Sequence, residues 1–187
     1  SQKITEKTKT IRVKIAAEEG FNPHTDIDVN SLRFGASAEV NYGRGCQVMK
    51  TEKSGSDLVV TFDAKGNGIT EEEFAPKLIG KTTSGKLLYG YARLPYVSYN
   101  NPILSARMPS FTPSEKGFEL SAEVQNFGQV ASKTTTLHLE YKKNGQTIKV
   151  GSSKVPALDP YKKTTVQLSC DKSFEKGISY DFILSIL

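Results

Sequence analysis

Apolar and polar side chains alternate one for one along several short stretches of this chain, and that period of two constrains its fold more than any other feature. Phe118, Leu120, Ala122 and Val124 alternate with Glu119, Ser121 and Glu123. Thr135, Leu137, Leu139 and Tyr141 alternate with Thr136, His138 and Glu140, and Ile11, Val13 and Ile15 with Arg12 and Lys14. Successive side chains of an extended strand point to opposite faces, so these stretches predict strands with one face on a core and the other in water. Turn signals punctuate them. The strongest is Asn144-Gly145, because both central residues of a type I′ hairpin turn need positive φ.

The first half follows the same rule with more interruptions. Gly20 and Asn22-Pro23 close the strand at 11–15, residues 31–35 predict a short strand with Leu32 and Phe34 inward, and Cys46 and Val48 open another that runs to 51. The continuous apolar run LVVTF at 58–62 predicts a central core strand. Thr70 with Glu73 three residues on has capping-box spacing, which predicts a turn or two of helix before Pro76 stops it. A last strand is expected over 87–94. In the second half, a strand ends at Asn126-Phe127-Gly128, the hairpin returns at 148–150, and Leu158-Asp159-Pro160 turns the chain. Val166, Leu168 and Cys170 form a further strand, and Tyr180, Phe182, Leu184 and Ile186 the final one. Strands at this density, with turns at regular spacing, favour a small antiparallel sandwich of immunoglobulin type.

At 187 residues the chain fits one large or two small domains. Nine Phe, eight Tyr and no Trp, with many Thr, Ser, Val and Gly, support an all-β class. The expected fold is therefore two consecutive antiparallel β-sandwich, immunoglobulin-like domains. Residues 1–10 are a polar leader or linker, 11–97 the first module, 98–102 a linker marked by Asn100-Asn101-Pro102, and 103–187 the second module.

Charge and cysteine content narrow the function classes. The net charge of +5 divides as +2 over 1–97 and +3 over 98–187. A nucleic-acid footprint would cluster Lys and Arg on one element, so no nucleic-acid partner is expected. No apolar run approaches the roughly 18 residues of a membrane span, and no signal peptide is present. The chain begins at Ser1 without a Met, which fits a region cut from a longer precursor. Cys46 and Cys170 fall in different halves, so two free, buried thiols are expected.

The candidate sites each have a plain structural reading beside the chemical one. Asp26, Asp28 and Asn30 carry the D-x-D-x-N spacing of a calcium loop's first ligands. An EF-hand would next need Gly and a distal Glu, where this chain has Ser31 and Ser37. Two readings stay open for these residues: they shape a turn, or they hold a cation with help from elsewhere. Glu71, Glu72 and Glu73 read as a solvated run, since paired carboxylates do acid/base work only when held across a cleft. His24 and His138 lie in different halves, and no G-x-S-x-G elbow supports nucleophilic catalysis. Two histidines and two distant cysteines do not make a zinc set. Gly43-Arg44-Gly45 and Gly66-Asn67-Gly68 are too short to cradle phosphate and read as turns. Tyr42, Tyr89, Tyr91, Tyr96 and Tyr99 are either strand and core residues or an aromatic platform for sugar rings. No catalytic, cofactor-binding or metal residue is assigned, and the chain is not expected to be an enzyme itself.

The run SAEVQNFGQVASKTTTLHLEYKKNGQTI, followed by VPALDPYKKTTVQL, resembles the CARDB type of bacterial immunoglobulin-like module over roughly 103–187. It has that module's order: a strand into Asn-x-Gly, a strand, a hairpin, then a leucine-proline turn into another strand. Residues 11–97 resemble a poorly characterised β-rich module of secreted bacterial proteins. The likeness rests on a DID-containing turn into SLRFGAS, on DLVVTF, and on LIGKTTSGKLLYGY. Many such modules place a repeated Asp/Gly segment before the DLVVTF-like strand, able to hold calcium. Here that loop is TEKSGSD, whose only acids are Glu52 and Asp57.

These resemblances imply a non-catalytic spacer or docking region of a larger secreted, periplasmic or cell-surface bacterial protein, of the kind attached to polysaccharide-active hydrolases. The implied partners are neighbouring domains of the same polypeptide and an extracellular polysaccharide, with no cofactor. The alternative is a module that binds carbohydrate or protein directly.

Overall fold

The computed structural model describes residues 3–175 and 177–187. The chain is all-β, with several antiparallel sheets, and it divides into two compact units, Ser1–Val97 and Ser98–Leu187.

The first unit contains β1 (Thr10–Ile15), β2 (Ile27–Gly35), a single helical turn α1 (Ser37–Val40), β3 (Cys46–Ser54), β4 (Asp57–Asp63), β5 (Lys77–Thr82) and β6 (Leu87–Tyr91). The strands form one antiparallel sheet in the order β1-β4-β3-β2-β5-β6. The link between β2 and β3 is confined to Arg33 opposite Gln47 and Phe34 opposite Cys46. So short a ladder lets the sheet turn sharply there, and the whole curls into a half-barrel. Its inner face is filled by Ile11 and Val13 of β1, Leu32 and Phe34 of β2, Val60 and Phe62 of β4 and Leu78 of β5. The rings of Phe34 and Phe62 meet across the bend with centroids 5.7 Å apart.

Several elements differ from the sequence expectation. The strand expected at 31–35 begins at Ile27 and contains a bulge between Asp28 and Arg33. The three extra residues that β2 takes there shift the inward phase from Ile27 and Val29 to Leu32 and Phe34. The Ser31 hydroxyl fills the gap, donating to the Asp28 carbonyl and accepting from the Lys81 amide at 2.8 Å. No helix forms over 69–76: that stretch is turn and bend, with the Glu73 carboxylate accepting the Ala75 amide. The chain then enters β5, with Lys77 in the strand.

The second unit contains β7 (Leu104–Pro113), β8 (Phe118–Asn126), β9 (Thr135–Lys143), β10 (Gln146–Val155), β11 (Lys163–Cys170) and β12 (Phe182–Ile186). They form two three-stranded sheets, β10-β9-β12 and β11-β8-β7. Alternate residues of both sheets share one core: Leu120, Ala122 and Val124 from β8 and Val166 and Leu168 from β11, with Leu137 and Leu139 from β9. The edges of the sheets meet in space, β10 beside β11 and β12 beside β7. Gly151 permits the first approach, since a Cβ there would stand 3.1 Å from the Ser169 carbonyl. Asn144 and Gly145 take φ of 51° and 77°, as the type I′ turn between β9 and β10 requires.

Asn126, fully buried, organises the end of this unit. Its side-chain oxygen accepts the amides of Ile103 and Gly128, and its side-chain NH2 donates to the carbonyls of Val130 and Leu158. Gly128 is glycine because a Cβ there would run into the Asn101 carbonyl. The Asn-x-Gly pattern is thus one tie and one close approach.

Candidate functional site

A curled sheet that does not close leaves a seam, and in the first unit the seam forms a surface groove. It has a volume of about 1130 Å³ and runs between β1, with the leader at 3–9, and residues 92–96. β6 ends at Tyr91, after which the Ala92 amide turns back to the Pro76 carbonyl at 2.9 Å. Leu94 is buried, and Phe34 forms part of the groove floor. On the other side the leader is folded. Ile4 packs on the core, Thr5 and Thr8 bond to each other, and Lys3 reaches Glu71 at 2.8 Å. That hydrogen-bonded ion pair raises the pKa of Lys3 and lowers that of Glu71.

The hydrogen-bond phase of β1 determines what the seam offers. In an antiparallel ladder, opposed residues alternate between exchanging hydrogen bonds and pointing them outward. The Ala64 amide donates to the Lys9 carbonyl, which makes Lys9/Ala64 a bonded pair. By the register, Ile11/Phe62, Val13/Val60 and Ile15/Leu58 are bonded too. Thr10, Arg12 and Lys14 therefore turn their amides and carbonyls away from β4, toward the groove, and no described residue pairs with them there. Unlike β2 and β3, β1 runs without a register shift. The floor below is apolar, through Ile11, Val13, Phe34 and Leu94. The described lining residues carry Lys and Arg but no Asp, Glu, His or Cys. A straight free strand edge over an apolar floor is chemistry suited to holding an extended backbone.

The residues singled out from the sequence do not converge on this groove or on one another. Asp26 accepts the Asn22 amide at 2.7 Å and the Thr25 hydroxyl at 2.9 Å, and these bonds hold its carboxyl below the usual range. Asp28 and Asn30 are exposed, Asp28 at the start of the β2 bulge and Asn30 within it. Among the described residues, no three His, Cys, Asp or Glu side chains gather as a metal set. His24 lies 3.2 Å from the Gly55 carbonyl. His138 sits on β9 between Ser152 and Ser185 of the flanking strands, on an extended sheet face.

The tyrosines are likewise dispersed. Tyr42 is 76% exposed after α1, with the Arg44 guanidinium over its ring. Tyr89 and Tyr91 meet edge to face with the Lys77 ammonium over both rings, and Lys77, itself buried, donates to Asn41 at 2.7 Å. Tyr96 lines the groove, and Tyr99 is buried in the second unit. Of the glycine pairs, Gly43 and Gly66 take a turn φ of 77°. A Cβ on Gly45 would stand 2.8 Å from Val40 and one on Gly68 would meet the Glu39 side chain; a Cβ on Gly35 would strike the Asn67 carbonyl. Arg44, between Gly43 and Gly45, pairs with Glu39 at 2.7 Å. Cys46 and Cys170 are free, one buried in each core. Burial pushes the Cys46 thiol up to about 11.

The seam itself was not singled out from the sequence. A signal was present in the run of Lys at 3, 7 and 9 leading into the alternation of β1, but whether a strand is central or at an edge depends on partners elsewhere in the chain. Compared with family models, with curated proteins and with solved structures, the chain finds no match, so its own geometry is what a functional reading rests on.

Proposed function

We propose that this chain is a non-catalytic docking and spacing region of a larger secreted or surface-exposed bacterial protein, of the type carried by polysaccharide-active hydrolases. One observation carries this reading: the candidate ligand and catalytic side chains are engaged separately in local structure, while the seam groove presents a backbone edge. Asp26 closes a turn, Glu71 holds the leader, Glu73 shapes a loop and the tyrosines are scattered. For the second unit, the immunoglobulin-type, CARDB-like assignment draws support from its two facing sheets and from the roles of Asn126 and Gly128 in the Asn-x-Gly pattern.

Calorimetric titration with a panel of soluble polysaccharides, alongside a reducing-sugar assay on the same panel, tests the reading. The expected result is no saturable heat and no release of reducing ends. Millimolar or tighter affinity would move the assignment to a carbohydrate-binding module, and turnover would move it to an enzyme. A protein-binding role has its own support in the free edge of β1.

A further inference from the structure

The geometry points to β1 as an acceptor strand: its free edge takes up an extended, acidic segment of a partner polypeptide, which adds to the sheet and closes the seam. This rests on the docking role proposed above and gives it a place and a chemistry. Thr10, Arg12 and Lys14 supply outward amides and carbonyls at strand spacing, and pairing them gives the main-chain hydrogen bonds on which strand addition depends. Ile11, Val13, Phe34 and Leu94 lie below, so alternate side chains of the incoming strand meet an apolar floor.

Charge selects the partner. Of the lining cations, Lys3 pairs with Glu71, Arg12 with Glu52 and Lys14 with Asp57. Lys7 and Lys9 are exposed, line the groove and form no ion pair among the described residues. An acidic strand would place carboxylates beside them. A second copy of β1 would instead bring Arg12 and Lys14 against their own kind, which disfavours edge-to-edge self-pairing. The occupant is therefore read as an acidic partner and not as this strand itself.

Fluorescence anisotropy with a labelled hexapeptide of alternating Glu and Val, matched to the six residues of β1, tests the inference. Its Lys/Val counterpart is the control, and amide hydrogen exchange by NMR is the second readout. The Glu/Val peptide is expected to bind saturably, more weakly as salt rises, and to slow exchange at Thr10, Arg12 and Lys14. The exposed double variant Lys7→Glu/Lys9→Glu should bind about tenfold more weakly while keeping the wild-type melting curve. Any of four results would overturn the proposal: no saturable binding, equal binding of the Lys/Val peptide, no added protection at those amides, or a concentration-dependent dimer that protects them without peptide. A failed peptide titration leaves the spacer reading standing, whereas sugar binding or turnover removes that reading without altering the peptide result.

Discussion

The two units use the same strand alphabet and treat their edges differently. The second builds two separate sheets and lets them cover each other, with β10 beside β11 and β12 beside β7. Its edge strands β7 and β10 also carry bulges, between Arg107 and Ser110 and between Lys149 and Gly151. The first bends one sheet over its own side chains, and its terminal strand β1 keeps a straight, bulge-free edge along the seam. Bulges, charges and covered edges are the usual protection against unwanted strand pairing. The first unit keeps only the charges, which makes its edge selective instead of blocked.

The largest expected effect comes from the bend itself. Phe62→Ala removes the ring that meets Phe34 across the curled sheet and should cost about 3–5 kcal/mol in urea denaturation. Hydrogen-exchange protection should fall through β1 to β6. A loss under about 1 kcal/mol would mean that this contact does not hold the curl, and the single-sheet picture would have to be revised. Next is Asn126→Ala, which leaves buried amides and carbonyls unpaired at the end of the second unit and should cost about 3 kcal/mol. A near-neutral result would show that the loops at Ile103, Val130 and Leu158 are held by packing alone.

Gly35→Ala sharpens the account of the first unit, because a Cβ there meets backbone and not a flexible side chain. About 1–3 kcal/mol is expected in the same denaturation assay. The smallest effect belongs to Asp26→Ala. The wild-type carboxyl is held below 3.8 by its hydrogen bonds, so it stabilises the fold above its unfolded value, and that contribution is lost as pH falls through the lower folded value. The melting temperatures of wild type and variant should differ slightly at neutral pH and converge in acid. Calcium should leave the wild-type melt unchanged; a rise would restore the cation-binding reading of Asp26, Asp28 and Asn30.

Much of this was legible where local pattern and final environment agree. The alternation at 11–15, 118–124 and 135–141, the core run at 58–62 and the Asn144-Gly145 turn all appear in the fold at those places. Two strands were hidden for physical reasons. β5 holds Gly80, whose lack of a Cβ lets Leu32 and Ser31 approach, and begins with the buried Lys77. β7 contains Pro109 and Pro113, residues that argue against a strand unless it lies at an edge, as this one does. The β2 bulge defeated simple phase counting because its missing pairing is made by a side chain, that of Ser31. At 70–73 the capping-box spacing was right for a helix start, but Glu73 bonds forward to Ala75 and the turn does not propagate. The seam was illegible because edge position is a property of the assembled sheet.

The placement of the cysteines has a use of its own. Each core contains a single thiol, sealed from solvent: Cys46 against β2 and β4 in the first, Cys170 at the end of β11 in the second. A thiol reagent can reach either one only when its surroundings open, so labelling kinetics read in protein carrying Cys46→Ala or Cys170→Ala become two independent clocks. One ticks with the opening of the half-barrel and the other with the opening of the facing sheets, without any probe having to be introduced.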